Sequence, residues 1–135
     1  KTLVSWDIDP LSVVSPTVAE LLSMAGRTSF QPRVGDVLDV TLEVTEMLFI
    51  DTWHTWRQLK AELERHADPV QSRVTKFLAF HDTETFGMQG EDGSEPGLVA
   101  TIRWFQKCHA FPLWRVVENR SNNNGLVILE HVSVR

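Results

Sequence analysis

Tyrosine is absent from this chain of 135 residues, and cysteine occurs only once. A single cysteine excludes an intrachain disulfide and a cysteine-based zinc cluster within one chain, and it favours a reducing, intracellular compartment. We interpret Cys108 as a small, half-buried apolar residue rather than a nucleophile. The apolar runs are short, as at residues 47–50, so the sequence predicts no membrane span, and it shows no signal-peptide pattern. An initiator methionine is also lacking, so we expect a domain excised from a larger chain or a processed product.

The charge of the chain is unevenly distributed around a net value of −5. Residues 36–51 contain five acidic residues and no lysine or arginine, whereas residues 101–135 contain five basic residues and two acidic ones. A net negative charge argues against general affinity for nucleic acid. We interpret the two regions as solvated faces of the folded domain.

The segment 34–47 carries the most informative pattern in the sequence. Apolar and polar residues alternate strictly from Leu38 to Thr45, which predicts a β-strand with one buried side and one solvent-facing side. A strand of this kind is typical of an antiparallel sheet.

Turn and capping residues divide the rest of the chain into further elements. Ser15 and Pro16 predict the start of a short helix, and the asparagine-rich segment 121–125 predicts a tight turn. The predicted order is strand, helix, strand, helix and four strands, at residues 3–8, 16–25, 34–50, 52–67, 73–81, 98–106, 113–118 and 126–134. The fold class that follows is α+β, a curved antiparallel sheet of about five or six strands packed on one or two helices, in a single domain spanning residues 1–135.

Residues 30–46 place a proline shortly before a Gly-Asp pair and then alternate apolar residues with threonine and acids. This segment resembles the entry to the main strand of hot-dog domains of the MaoC-like hydratase type, and residues 98–105 resemble their closing strand. The resemblance implies an acyl-thioester hydratase or thioesterase-like enzyme, or a protein that binds an acyl ligand. The Asp-x-Asn-Pro-x-His motif of those hydratases is absent from the chain.

Residues 77–87 read Phe-Leu-Ala-Phe-His-Asp-Thr-Glu-Thr-Phe-Gly, with two acids at alternate positions after an apolar run. The segment resembles the first motif of exonuclease I-type nucleases of the DEDD class. The resemblance implies that Asp82 and Glu84 bind divalent metal ions in a nuclease-related domain. Beyond the glycine-rich loop 87–97, only two acidic residues remain for the later motifs of that family.

Five tryptophans and seven phenylalanines make the chain rich in large aromatic residues. Tryptophan and arginine dominate binding hot spots, and aromatic rings interleaved with basic groups can also stack nucleotide bases. His54 lies next to a tryptophan and could meet a carboxylate in the fold, although none of the five histidines belongs to a recognised motif. The candidate binding residues are Trp53, Trp56, Arg103, Trp104, Lys107, Trp114 and Arg115.

Together these patterns predict a binding domain without chemistry of its own. We expect its aromatic and basic surface to engage a protein partner, with no catalytic residue, no cofactor and no metal ion. A hot-dog enzyme or acyl-ligand carrier is the first alternative, and a metal-dependent nuclease-related domain is the second. A small apolar ligand and a homodimer are compatible with the sequence, whereas nucleic acid and membranes are not expected partners.

Overall fold

The computed structural model describes residues 2–10, 29–68, 72–108 and 114–132. The chain divides into two compact units, Lys1–Thr41 and Leu42–Arg135. The prediction of one domain over the whole chain stays a prediction.

The first unit contains two parallel strands, β1 (Thr2–Asp7) and β2 (Ser29–Val34), which pair along their whole length. Strand β1 agrees with the strand predicted at residues 3–8. Trp6 and Arg33 are register partners, and the guanidinium carbon of Arg33 lies 5.3 Å from the centre of the Trp6 ring. A cation over an aromatic face adds to the stability of this cross-strand pair.

A turn interrupts the long strand that the alternating pattern predicted at residues 34–50. The Asp36 side chain accepts the backbone N–H of Leu38 at 2.8 Å, and the Asp36 carbonyl accepts the N–H of Asp39 at 3.0 Å. Because these local hydrogen bonds occupy backbone groups that a sheet would use, the alternation does not produce a strand here. The prediction is wrong for residues 35–44, which form no strand, and strand structure resumes only at Thr45.

The second unit consists, in chain order, of β3 (Thr45–Ile50), α1 (Trp56–His66), β4 (Val74–His81), α2 (Leu98–Lys107), β5 (Trp114–Arg120) and β6 (Leu126–His131). The four strands lie in the order β3–β4–β6–β5. Strands β3 and β4 are parallel and are joined by α1, whereas β6 is antiparallel to both β4 and β5. The predicted α+β class, with about five or six strands and one or two helices, is therefore confirmed for the residues that the structure describes.

Both helices and all four strands of this unit contribute to one apolar core. Leu59 and Leu63 lie one turn apart on α1 and are almost fully buried, as are Leu78 on β4 and Leu129 on β6. Burying side chains of this size is the main stabilising contribution to such a unit. Among the described residues, the core comprises Ile50, Leu59, Leu63, Ala67, Val74, Leu78, Phe80, Leu98, Ile102, Phe105, Trp114, Val127 and Leu129.

The strand predicted at residues 98–106 is wrong, because these residues belong to helix α2. Leu98, Ile102 and Phe105 are buried at the spacing i, i+4 and i+7, which is a helical face. Leu98 and Ile102 also fit a period of two, so the pattern by itself was ambiguous. The first N–H groups of the helix, at Leu98 and Val99, donate to the carbonyls of Phe86 and Gly87, so the preceding loop completes the helix start. The resemblance to a hot-dog closing strand therefore falls on a helix.

The remaining predicted elements agree with the structure where it describes them. The helix predicted at 52–67 begins at Trp56, because Thr55 caps it by accepting the N–H of Gln58 at 3.2 Å. The strands predicted at 73–81, 113–118 and 126–134 correspond to β4, β5 and β6, although residues 113 and 133–135 are not described. The helix predicted at 16–25 lies outside the described residues.

The turn between β5 and β6 forms as predicted. Asn123, Asn124 and Gly125 all have positive φ, at 55°, 65° and 97°. Asparagine and glycine tolerate this left-handed region better than other residues. Within the described part of the chain, neither helix has the length and the apolar character needed to cross a membrane.

Candidate functional site

Two aspartates occupy equivalent positions at one edge of the second unit's sheet. Asp51 directly follows β3, and Asp82 directly follows β4. The strands are parallel, with Ile50 opposite Phe80, so both chains leave the sheet at the same edge. In open sheets with parallel strands, ligands bind beyond the carboxyl ends of the strands. The two carboxylates therefore lie where sheets of this kind commonly bind ligands.

His54 bridges these two carboxylates. Its Nε2 lies 3.2 Å from Oδ1 of Asp51 and 3.0 Å from Oδ2 of Asp82. One ligand atom from each of the three residues lies within 4.8 Å of the others, which is close enough for all three to hold one cation. The Asp82 side chain is 13% exposed and that of His54 17%, whereas Asp51 is 44% exposed. The cluster is therefore closed on the Asp82 side and open to solvent at Asp51.

The segment that carries Asp51 and His54 is fixed against helix α1. The Thr52 hydroxyl donates to Oε1 of Glu62 at 2.7 Å, and Gln58 donates to the same oxygen at 2.6 Å. Glu62 is only 2% exposed, so its carboxylate is buried with these two partners. A hydrogen-bonded buried carboxylate is costly to disturb, so it holds the start of α1 and the site segment together.

The loop that follows β4 carries the rest of the site. Asp82 has a φ of 56°, a left-handed conformation that only a few non-glycine residues adopt readily. The carbonyl of Asp82 accepts the N–H of Phe86 at 2.9 Å, and the Asn124 carbonyl accepts the N–H of Glu84 at 2.8 Å. The turn between β5 and β6 thus supports the loop in which the Asp82 carboxylate is presented.

A second histidine, His81, lies behind the cluster. Its Nδ1 is 3.3 Å from Oδ1 of Asp82 and 3.5 Å from Oδ1 of Asp51, but neither His81 Nδ1 nor Asp82 Oδ1 has a hydrogen-bond partner of acceptable geometry among the described residues. Buried polar atoms without a partner are rare, and an ion is one of the groups that explain them. The orphaned oxygen belongs to a residue that already faces two other ligand groups, which fits a cation site.

Charge and hydrogen bonding change the proton affinity of His54. Burial lowers the pKa of His54, but the hydrogen bonds to Glu91 and Asp51, together with the charges of Asp82 and Glu91, outweigh burial and raise the pKa above its ordinary value. The hydrogen bond with His54 in turn lowers the pKa of the Glu91 carboxyl. A site that stabilises a positive charge on the imidazole can stabilise a bound cation in the same place.

The ligand types indicate which ions the site suits. Two carboxylates and one imidazole form a mixed oxygen and nitrogen set. Imidazole suits Zn²⁺, Fe²⁺ and their neighbours, whereas carboxylates also suit Mg²⁺ and Mn²⁺. The cluster is therefore expected to prefer a first-row divalent ion over Ca²⁺.

The predicted aromatic and basic binding residues have very different environments. Trp114 is 2% exposed and belongs to the core. Trp104 packs against that core, with the Lys60 ammonium 4.8 Å above its ring. Arg115 is exposed on β5 and forms a 2.6 Å ion pair with Glu130 of β6.

The other predicted residues lie on the helices and at the site. Trp53 is 59% exposed and precedes His54, while Trp56 is half-buried in the first turn of α1. Arg103 and Lys107 are exposed on α2, where they line a groove of about 330 Å³ together with Trp104. Arg103 and Trp104 were predicted to lie on a strand at 98–106, and this is wrong, because residues 98–107 form α2. Cys108 is exposed rather than half-buried.

Of the two acids that the nuclease resemblance implied, Asp82 belongs to the cluster. Glu84 is exposed and takes no part in a metal-ligand cluster among the described residues. Asp51 was not predicted. Both site aspartates follow an apolar run, at 47–50 and 77–80. This repeated sequence pattern could have identified them as candidates.

No protein-family model matches the chain, and no curated protein matches it significantly. Solved structures that are similar to it include the following two. A protein from Corynebacterium glutamicum matches with 16% identity and a TM-score of 0.63, covering 99% of this chain and 62% of that one. The SAH-bound methyltransferase PaMTH1 from Podospora anserina matches with 10% identity and a TM-score of 0.52, covering 98% of this chain and 60% of that one. At these identities the likeness establishes a shared fold.

The likeness to a methyltransferase corrects the function predicted from the sequence. The expected non-catalytic interaction domain, and the hot-dog enzyme or acyl-ligand carrier given as its alternative, are wrong, because the chain has the fold of an enzyme that was crystallised with SAH. The same match gives no support to the nuclease-related alternative. A protein partner, a small apolar ligand and a homodimer stay predictions.

Proposed function

We propose that this protein transfers a methyl group from S-adenosylmethionine to a hydroxyl group of an acceptor, and that Asp51, His54 and Asp82 form its acceptor-side site. The observation that carries the proposal is the position of this cluster at the carboxyl ends of two parallel strands, in a fold shared with an SAH-bound methyltransferase. SAH is the molecule that remains when S-adenosylmethionine has lost its methyl group. The fold likeness supports the class of reaction, and the cluster supports the location.

The chemistry requires an acceptor oxygen that has lost its proton. The oxygen attacks the methyl carbon of the sulfonium, the carbon–sulfur bond breaks, and its electron pair stays on sulfur to give SAH. A divalent cation, when bound, lowers the pKa of a hydroxyl group that it contacts and neutralises the resulting oxyanion. The acceptor proton passes to water before the attack, since the site is open to solvent at Asp51.

The residues of the chain divide this task between them. Asp82, the least exposed of the three and with a φ of 56°, would hold the cation at the closed side of the site. His54 closes the site between the two acids. Asp51, at the open side, would hold the cation where solvent and an acceptor can reach it. Trp53, which is 59% exposed next to His54, offers an apolar surface for the body of the acceptor.

The proposal is tested by following SAH formation from S-adenosylmethionine by the intact protein, with phenols and aliphatic alcohols as acceptors and with Mn²⁺ or a chelator present. We expect SAH to form with at least one acceptor class, to depend on Mn²⁺, and to be lost in Asp82→Asn. Glu84→Gln is the matched control, because it removes a nearby exposed carboxylate that lies outside the cluster.

A binding measurement makes the test independent of the choice of acceptor. Calorimetry with SAH is expected to show saturable binding to the intact protein. If SAH and S-adenosylmethionine both fail to bind, with and without Mn²⁺, the methyltransferase proposal is overturned.

A further inference from the structure

The loop after β4 touches His54 from two directions. Phe86 stacks on the imidazole, with ring centroids 4.8 Å apart and an interplanar angle of 17°. Glu91 approaches the edge of the same ring, and its Oε2 lies 3.0 Å from Nδ1 of His54. The face and the free edge of the ring are therefore both in contact with this loop, while Nε2 faces the two aspartates.

The contact between His54 and Glu91 also involves both backbones. The backbone N–H of Glu91 donates to the carbonyl of His54 at 3.0 Å, and the backbone N–H of His54 points to Oε2 of Glu91 at 3.4 Å. Glu91 sits in a short turn in which the N–H of Gly93 donates to the Gly90 carbonyl at 2.9 Å. A side chain at Gly90 would press against the His54 carbonyl, so the absence of one permits the close approach.

A carboxylate on the second nitrogen of an imidazole has a specific consequence for a ligand histidine. The carboxylate accepts the proton on that nitrogen, which leaves the lone pair on the other nitrogen. With a cation between Asp51 and Asp82, the Nε2 lone pair would face the cation, and the proton would lie on Nδ1, towards Glu91.

We propose that Glu91 is a positioning residue that fixes the His54 ring and its tautomer, so that Nε2 is presented to a divalent cation held with Asp51 and Asp82. The inference rests on the proposed function for the existence of that cation site. It adds that the loop at residues 86–91 is part of the site, and that a cation and the docked loop stabilise one another.

The first experiment examines the tautomer with Zn²⁺ bound. Long-range ¹H–¹⁵N spectra of ¹⁵N-histidine-labelled protein, recorded in the presence of Zn²⁺, report which nitrogen of His54 carries the proton. We expect the proton on Nδ1 in the wild-type protein and in Glu91→Gln, whose amide oxygen still accepts a hydrogen bond. In Glu91→Ala we expect a mixture of the two tautomers, because no carboxylate then holds the proton at Nδ1.

The second experiment measures Co²⁺ binding by its visible absorption. Loss of a carboxylate that orients a ligand histidine weakens metal affinity by about 10–100-fold, so we expect that loss in Glu91→Ala and partial recovery in Glu91→Gln. Glu84→Ala is the control and is expected to bind Co²⁺ like the wild type, because it removes an exposed acid of the same loop. The recovery in Glu91→Gln separates positioning from a general loss of loop structure.

Two negative outcomes are distinguishable. If the wild type binds Co²⁺ and Glu91→Ala matches it in affinity and in tautomer, the positioning role is overturned and the cation site stands. If the wild type binds neither Co²⁺ nor Mn²⁺, the cation site itself is overturned, and the positioning role with it. Methyl transfer is then decided separately, by the binding of SAH.

Discussion

Nδ1 of His54 lies 3.0 Å from Oε2 of Glu91, although 37 positions separate the two residues in the sequence. The contact joins the segment after β3 to the loop after β4. It brings a third carboxylate to an imidazole that already faces Asp51 and Asp82. Most of the testable consequences of the structure arise from this arrangement.

Replacing Asp82 with asparagine is expected to weaken Mn²⁺ binding by about 10²-fold, because a charged ligand is replaced by a neutral one of the same shape. Asp51→Asn is expected to act in the same direction with a smaller effect, because Asp51 is more exposed. Calorimetric titration with Mn²⁺ measures both effects. Equal affinity in the wild type and in Asp82→Asn would contradict the assignment of this residue.

The stability of the metal-free protein is expected to depend on the protonation of His54. The pKa of His54 is raised in the folded protein, so its contribution is fully present below the unfolded-state value of about 6.5 and is lost as the pH rises through the folded-state pKa. Thermal unfolding in a chelator, at a series of pH values, measures this loss. His54→Gln is expected to flatten the dependence, and an unchanged slope in that variant would show that another group is responsible.

Cation binding is expected to slow hydrogen exchange at the amide of Glu91. This N–H donates to the carbonyl of His54, so it is exposed to solvent only when the loop leaves the site. A ligand that binds only the docked state raises the free energy of opening. Exchange with and without Mn²⁺ measures the effect, and the amide of Ala67, which caps the C-terminal end of α1 and donates to Leu63, serves as the internal reference. Equal protection of the Glu91 amide in both conditions would mean that the loop does not respond to the cation.

The packing of the turn between β5 and β6 against the loop after β4 can be tested separately from backbone strain. Two glycines with positive φ, Gly125 and Gly93, make this comparison possible. A Cβ at Gly125 (φ 97°) would collide with the backbone nitrogen of Glu84, whereas a Cβ at Gly93 (φ 78°) would meet nothing within 4 Å. We expect Gly93→Ala to cost about 1–2 kcal/mol of unfolding free energy. Gly125→Ala is expected to cost more, because the collision adds to the same strain. Denaturant titration measures both values, and equal costs would contradict the close packing at Gly125.

The tryptophans are expected to respond to acrylamide according to their environments. Trp53 is 59% exposed, and Trp114 is 2% exposed. Trp53→Phe is therefore expected to remove a strongly quenched part of the fluorescence. Trp114→Phe is expected to leave that part intact and to destabilise the fold by about 1–3 kcal/mol, because it leaves space in the core. Strong quenching of Trp114 in an otherwise folded protein would contradict its place in the core.

The sequence determined the elements whose signals are local. The apolar stripe of α1 and the asparagine-rich turn at 121–125 depend on residues within a few positions of one another, and both were predictable. The alternation at 34–47 was misleading, because the hydrogen bonds of Asp36 compete with strand formation. At 98–106 the same residues fitted both a strand and a helix, and contacts with Phe86 and the core decided for the helix.

The tertiary structure alone decided the candidate site. Asp51, Asp82 and Glu91 belong to segments that are separated in sequence, and they meet at His54 only because β3 and β4 are parallel neighbours and the loop after β4 folds back. Residue types and apolar runs indicate where strands end, but they do not indicate which strands are adjacent or in which direction they run. Strand pairing depends on contacts between residues far apart in the chain, and for that reason the four residues of the site could not be grouped from the sequence.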